Sequence, residues 1–301
     1  MKMLKVMEKR RSVREYKDKT LSSKDQKHVI TYLDDYPKLS QKTDVEFKYL
    51  EDGKDIASKL EGIAGYSGVM ITAPHYLLVM ASESDTAYKA AGYAGEWIIL
   101  NVTKHEIGTC WLDGVDQSDK IKSLLKIESD KVVVGLIALG YAHAEPRLSH
   151  IYDTNMGGSV SPLTDLGYPN IDPEYSKEPV SNRMSIDKIS YLKTWGAAVD
   201  AEELQKRGYD QVFYYMRMAP SWGNRQPWRF ILDGTKIVLV MERDERVDDR
   251  AEEAEAGIAM IYFEVAMHDI GLPGHWNTDD LSGADKYNIP EDHFIAGYYT
   301  F

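Results

Sequence analysis

The chain is poor in cysteine: Cys110 stands alone, so no internal disulfide can form. That usage fits a reducing compartment. It also lacks a long apolar run. The most apolar stretch, "VVVGLIALG" at 132–140, falls well short of the roughly 20 residues that cross a bilayer as a helix. The opening "MKMLKVMEKRRSV" has no apolar core either, so no signal peptide and a cytoplasmic location are expected. Positive charge is scarce, with 36 Lys and Arg against 48 Asp and Glu and a formal net charge of −12. Such a surface repels phosphate backbones and anionic lipid, which argues against nucleic-acid and membrane partners. The eight histidines are scattered without ligand spacing, so no metal is expected. No phosphate-cradling G-x-x-x-x-G-K-[ST] stretch and no G-x-S-x-G elbow occur.

What is present is globular: 301 residues, 43% hydrophobic, enough for one large or two modest domains. One island breaks the acidity. Residues 1–20 carry eight Lys and Arg against Glu8, Glu15 and Asp18. This is either an anion site or a solvated helix face.

Periodicity and punctuation predict α-helices over 3–9, over 22–36 with Ser23 as N-cap, and from Asp55 to Ser67. Further helices are expected over 86–108, from Ser118 as N-cap, over 185–196, over 200–218 and over 252–271. The acidic start of the last suits the helix dipole. Strands are expected at 45–52, 75–83, 131–142 and 292–301, with a hairpin at 228–244 turning at Asp233-Gly234. Residues 150–182 are rich in Gly, Pro, Ser, Asp and Asn and read as a linker.

The second half echoes the first. "HEIGTCW" (105–111) matches "HDIGLPGHW" (268–276), each after a long helix, and "VVVGLIALGY" matches "HFIAGYYTF" as the strand that follows. "RRSVR" (10–14) has a fainter echo in "RMSID" (183–187). The expected organisation is a first half at 1–150, a linker at 151–182 and a second half at 183–301, packed together like a symmetric dimer.

Two stretches carry more than packing. "RRSVREY" (10–16) follows a short helix, and "APSWGNRQPWRF" (219–230) leads into a strand. With "HEIGTCWLDGVD" and "AEPRLSH", this ordered set resembles the FMN-dependent nitroreductase family, in its tandem, pseudo-dimeric branch. The resemblance implies an α+β fold duplicated in one chain, each half a mostly antiparallel sheet packed with helices around a long central helix. It implies FMN as cofactor and NAD(P)H as co-substrate, with electrons passing through flavin N5 to a small aromatic or quinone-type acceptor. Ordinary members are homodimers that build each site from both subunits. Here the first half lacks the Asn-x-Gln-Pro-Trp loop, having "DYPKLSQKTDVEF" instead, and the second half has Asp187 where Arg14 sits. One composite site is therefore expected, and no further subunit is required to complete it.

The resemblance assigns Arg10, Arg11, Ser12 and Arg147 to the phosphate, and Arg14 to the N1–C2 edge of the ring. A cation at that edge stabilises the reduced anion. Trp111, Leu112, Asp113 and Gly114 are expected beside the ring, with a backbone N–H of Asp113 or Gly114 facing N5. Pro220, Ser221 and Asn224 are expected to reach the ribityl and phosphate from the second half. Trp222 either lines the substrate face or packs as core. Gln226, Pro227 and Trp228 set the loop. No protein nucleophile or acid is implied, so no catalytic side chain is assigned. A flavin-binding or flavin-sensing protein, or a member without turnover, is the alternative.

Overall fold

A computed structural model of the chain describes residues 2–65, 68–143, 183–281 and 284–301. The first half contains α1 (Met3–Lys9), α2 (Ser23–Asp34), β1 (Val45–Leu50), α3 (Gly53–Leu60), β2 (His75–Ala81), α4 (Asp85–Thr103), β3 (Gly108–Leu112), α5 (Ser118–Leu125) and β4 (Val132–Gly140). The second contains α6 (Ile186–Ile189), β5 (Ser190–Leu192), α7 (Ala201–Arg207), α8 (Asp210–Met216), β6 (Trp228–Asp233), β7 (Lys236–Glu242), α9 (Asp249–Asp269), β8 (His275–Asn277) and β9 (His293–Thr300).

The duplication is written into the sheets. The first is antiparallel throughout, in the order β1-β2-β4-β3. The second repeats that order as β6-β7-β9-β8, with β5 added in parallel at the β6 edge. Even the irregularities correspond. The register slips between Val79 and Met80, beside Gly135, and again between Leu239 and Val240, beside Gly297. A β-bulge at one place in both sheets bends both alike.

α4 and α9 cross at the centre, and each is buried on nearly every side. Their contact is reciprocal. A Cβ on Gly92 would lie 1.9 Å from Ala254 O, and one on Gly257 would lie 1.9 Å from Lys89 O. Residue i of one helix thus meets residue j of the other and the reverse, the signature of a two-fold axis. The shift of 165 positions that relates these pairs also relates Trp111 to Trp276. One of the core clusters is shared between the two halves. Leu4, Val6 and Met7 of α1, with Tyr93 and Leu100 of α4, pack among Phe213, Trp228, Phe230 and Phe263 of the second half. This buries α1 against the other half and delivers residues 10–16 to the seam.

Several expected elements shift. The 185–196 helix is only α6, because Ser190–Leu192 gains more by pairing with β6. The 200–218 helix breaks at Gly208, which caps α7 at φ 77°. α2 is capped by Ser22, whose side chain accepts from Asp25 N–H, rather than by Ser23. α5 has no Ser118 cap; Ser118 Oγ accepts instead from Val133 N–H at 2.8 Å. The hairpin turns through Gly234-Thr235, because Asp233 itself pairs with Lys236. The acidic start of α9 does more than face a dipole. Glu252, Glu253 and Glu255 are all buried, and each has a partner. The expected linker at 151–182 and Arg147 lie outside the described residues. Among the described residues no helix is long and apolar enough to cross a membrane.

Candidate functional site

The Arg stretch runs as a fringe along the first sheet. Ser12 bridges Thr109 in parallel, and Val13 N–H donates to Thr109 O at 2.8 Å. Val13 packs onto Gly108, where a Cβ would come within 2.8 Å of it. Val13 and Tyr16 are buried, Arg11 and Ser12 are half-buried, and Arg14 is exposed. Further along, Tyr16 bridges Ala142, so the fringe spans the ends of β3 and β4.

Arg10 turns inward. Its Nε lies 2.9 Å from Glu96 Oε1, with side chains 4% and 0% exposed. Trp111 Nε1–H donates to the same carboxylate at 2.8 Å. Burial disfavours the Arg10 charge most, but Glu96, Tyr262 and Cys110 together outweigh it and hold its pKa above the ordinary value. Tyr262, from α9 of the second half, is completely buried in the same electrostatic environment, and its hydroxyl is pushed up by burial first and by Glu96 next.

The pseudo-two-fold explains the other side. Arg183 is the sequence counterpart of Arg10, but the counterpart of Glu96 is Ile261. Arg183 Nη1 donates to Ala219 O at 2.7 Å instead. Burial, with Arg10 and Arg217 nearby, lowers its pKa to about 10. Trp276, counterpart of Trp111, likewise donates to a backbone oxygen, Met260 O, at 3.1 Å. The "RMSID" stretch has therefore kept one guanidinium, and that guanidinium fastens the start of the 219–230 loop.

The loop itself is tightly tied. Gln226 N–H donates to Ser221 Oγ at 2.9 Å. Gln226 Oε1 accepts from Met184 N–H at 2.8 Å, and Nε2 donates to Asn224 O at 3.2 Å. Trp228 is fully buried core. Gly223, Asn224 and Gln226 all have φ near +55°, a region that only glycine enters without penalty. The outer face of the loop is open: Gly223 and Asn224 are exposed, and Pro220, Ser221 and Trp222 are half-buried.

The 111–114 segment splits in role. Leu112 is buried in the first-half core, and a Cβ on Gly114 would press on Ile121 at 2.8 Å. Gly114 N–H donates to Asp113 Oδ1 at 2.6 Å, while Asp113 itself is exposed and its carbonyl accepts from Gly65 N–H at 2.7 Å. Cys110 is buried core. Sequence reasoning missed Glu96, Glu255, Tyr262 and Arg183. A signal existed for Glu96, a charge set in a helix stretch otherwise made of Ala, Gly and large apolar residues; Glu255 stands in an acidic run with Glu252 and Glu253 and carried none.

A duplicated α+β unit, with paired sheets around two crossed central helices, defines the nitroreductase fold in tandem form. The chain belongs to the family described as "Putative TM nitroreductase", whose model matches residues 2–267. It is similar in structure to a putative nitroreductase from Thermotoga maritima, with 17% identity and TM-score 0.55 over 100% of this chain and 94% of that one. An FMN-dependent nitroreductase from Clostridium difficile aligns over 47% of this chain and 88% of its own, with 23% identity and TM-score 0.41. A nitroreductase with bound FMN from Bacteroides fragilis aligns over 54% and 98%, with 18% identity and TM-score 0.42. No curated protein matches the chain.

Proposed function

We propose that this chain is an FMN-dependent oxidoreductase that draws electrons from NAD(P)H and passes them to a small aromatic or quinone-type acceptor, with one composite flavin site between its halves. The observation that supports the reading most is the seam. Burial, and then the charge of Arg10 from the first half, lower the pKa of Arg183, and Arg183 anchors Ala219 at the start of the second half's loop. Arg10 pairs with Glu96, Arg183 Nη1 donates to Ala219 O, and Arg217 Nη2 donates to Arg183 O at 3.3 Å. These cations are committed within the protein, so what they lend the seam is positive potential, which favours an anionic ligand held by the half-buried Arg11 and Ser12.

FMN, when bound, supplies hydride acceptance and donation at N5. The protein's part is to hold and orient. Arg11 and Ser12, half-buried on the fringe, are assigned to the phosphate together with Arg10 and Arg147. Because Arg10 is committed to Glu96, its share is to fix the fringe and lend positive potential. Arg14, exposed beside them, is assigned to the N1–C2 edge. Ser221 and Asn224 reach the ribityl from across the seam, with Pro220 and Trp222 flanking. Trp111 and Leu112 are the packed floor beside the exposed Asp113 and the buried Gly114. A backbone N–H of Asp113 or Gly114 is assigned to face N5.

The test is flavin stoichiometry together with paired substitutions. One FMN per chain is expected. Arg14→Ala and Asn224→Ala should each weaken FMN binding by about tenfold or more, the loss of one charge-assisted or buried hydrogen bond. Substitutions at Asp187 and in the 36–46 loop should leave it unchanged. Two flavins per chain, or equal losses at both sets, would refute the composite site. Turnover of NAD(P)H with a nitroaromatic or quinone separates an enzyme from a protein that only binds flavin.

A further inference from the structure

The 219–227 loop is built from conformations that do not hold themselves. Left-handed backbone at Asn224 and Gln226 costs free energy and persists only where surroundings enforce it. One buried side chain is placed to enforce it from outside the loop. Glu255, on α9 and 6% exposed, accepts from the Trp222 N–H with one oxygen and from Arg225 Nη2 at 2.8 Å with the other. Arg225 reaches on to Asp244 at 3.4 Å, and Asp244 is held by Arg246, whose guanidinium lies over the Trp222 ring at 5.8 Å. The carboxylate therefore grips both sides of Gly223 and Asn224, the two exposed residues of the loop.

The duplication supplies an internal comparison. The 165-position shift that relates the crossing glycines puts Ala90 at the place of Glu255. Ala90 faces the matching first-half loop, lining a cavity of about 40 Å³ with Tyr36, Pro37, Lys38, Leu39, Thr43, Asp44 and Val45. That loop lacks the Asn-x-Gln-Pro-Trp residues. The half that keeps the motif keeps the carboxylate, and the half without the motif has alanine.

We propose that Glu255 is the positioning residue that fixes the 219–227 loop in its ligand-binding shape, and that its counterpart Ala90 marks the half that has given up a site. This rests on the flavin reading for what the loop binds, but not for how the loop is held. Burial raises the pKa of Glu255 to about 7, against the pull of Arg225 and the Trp222 N–H. A group so costly to bury is retained where its contacts are needed.

The experiment compares Glu255→Leu with Glu253→Leu. Glu253 sits two residues away, is equally buried, and pairs with Lys89 at 2.9 Å rather than with the loop. Hydrogen exchange of the 219–227 peptide is measured in the apo protein, and FMN affinity by titration. Glu255→Leu should speed exchange in that peptide at least tenfold and weaken FMN binding at least tenfold. Glu253→Leu should do neither, whatever it costs in melting temperature. Glu255→Gln, which keeps an acceptor for the Trp222 N–H, should recover most of the protection. Unchanged loop exchange in Glu255→Leu, or equal acceleration in both Leu variants, would overturn the proposal. A wild type that binds no FMN, with the loop still loosened by Glu255→Leu alone, would sink the flavin reading and leave the positioning role standing.

Discussion

Gly92→Ala should destabilise the protein by about 3 kcal/mol or more, at or beyond the upper end of the usual overpacking range. In an ordinary helix interior the same change stabilises by roughly 0.5–1 kcal/mol, because alanine has less chain entropy to lose. The sign inverts here because of what the new methyl would meet. Its Cβ would lie 1.9 Å from Ala254 O, 2.6 Å from Ala254 C and 2.8 Å from Ala254 Cα. These are backbone atoms of the opposing helix, so no rotamer change relieves the clash and α4 must part from α9. Separating them loosens the shared core, which includes Tyr93, Leu100 and Phe263. For a chain whose stability is of order 5–15 kcal/mol, this is a large fraction. Gly257→Ala should behave alike, since its Cβ would lie 1.9 Å from Lys89 O. The double variant should cost less than the sum, because parting the helices once accommodates both methyls. Chemical denaturation checks this; a Gly92→Ala protein more stable than wild type would mean that the helices do not cross there.

Glu96→Ala should cost about 3–5 kcal/mol, the usual penalty for stranding a buried charge. Glu96 has no exposed side-chain surface, and removing it leaves Arg10, 4% exposed, with its counter-charge gone. The Trp111 Nε1–H loses its acceptor as well. The informative companion is the double change Arg10→Met with Glu96→Ile, which writes into the first half the isoleucine that the second half carries at 261. Replacing a whole buried pair by apolar groups is often neutral or stabilising, so the double variant should recover most of the loss. If the pair matters for function rather than stability, the recovered protein should still bind FMN less well than wild type. Denaturation of the two variants, and FMN titration of the double one, read these outcomes separately.

Much of the fold was legible from pattern. The continuous apolar run at 132–140 reads as an inner strand, and β4 is indeed flanked by β2 and β3. The two long helices, the hairpin and the closing strand carry periods that no other placement satisfies. Illegible were the elements decided by neighbours. Ser190–Leu192 has a helical surround but a strand partner in β6. Ser118 looks like a cap and serves Val133. The site was half legible. Its two stretches stand out by composition, but the roles of Glu96, Glu255 and Arg183 could be recognised only once their partners were known, since an acid or a cation on its own does not say what it meets across the fold.

The sequence by itself determined that the chain is a duplicated α+β unit of acidic surface, with an arginine stretch in one half and a Ser-Asn loop in the other. Periodicity and turn chemistry act within a few residues, and both are written locally. What only the tertiary structure decided is which partners the two stretches take. Arg10 turns inward to Glu96, Arg183 survives as a fastener rather than a relic, and a buried carboxylate from α9 holds the loop. These contacts join residues 86 positions apart at Arg10–Glu96, 36 apart at Arg183–Ala219 and 30 to 33 apart at Glu255 and the loop. They exist because two small glycines let the central helices approach until their backbones touch, a distance that no local pattern encodes.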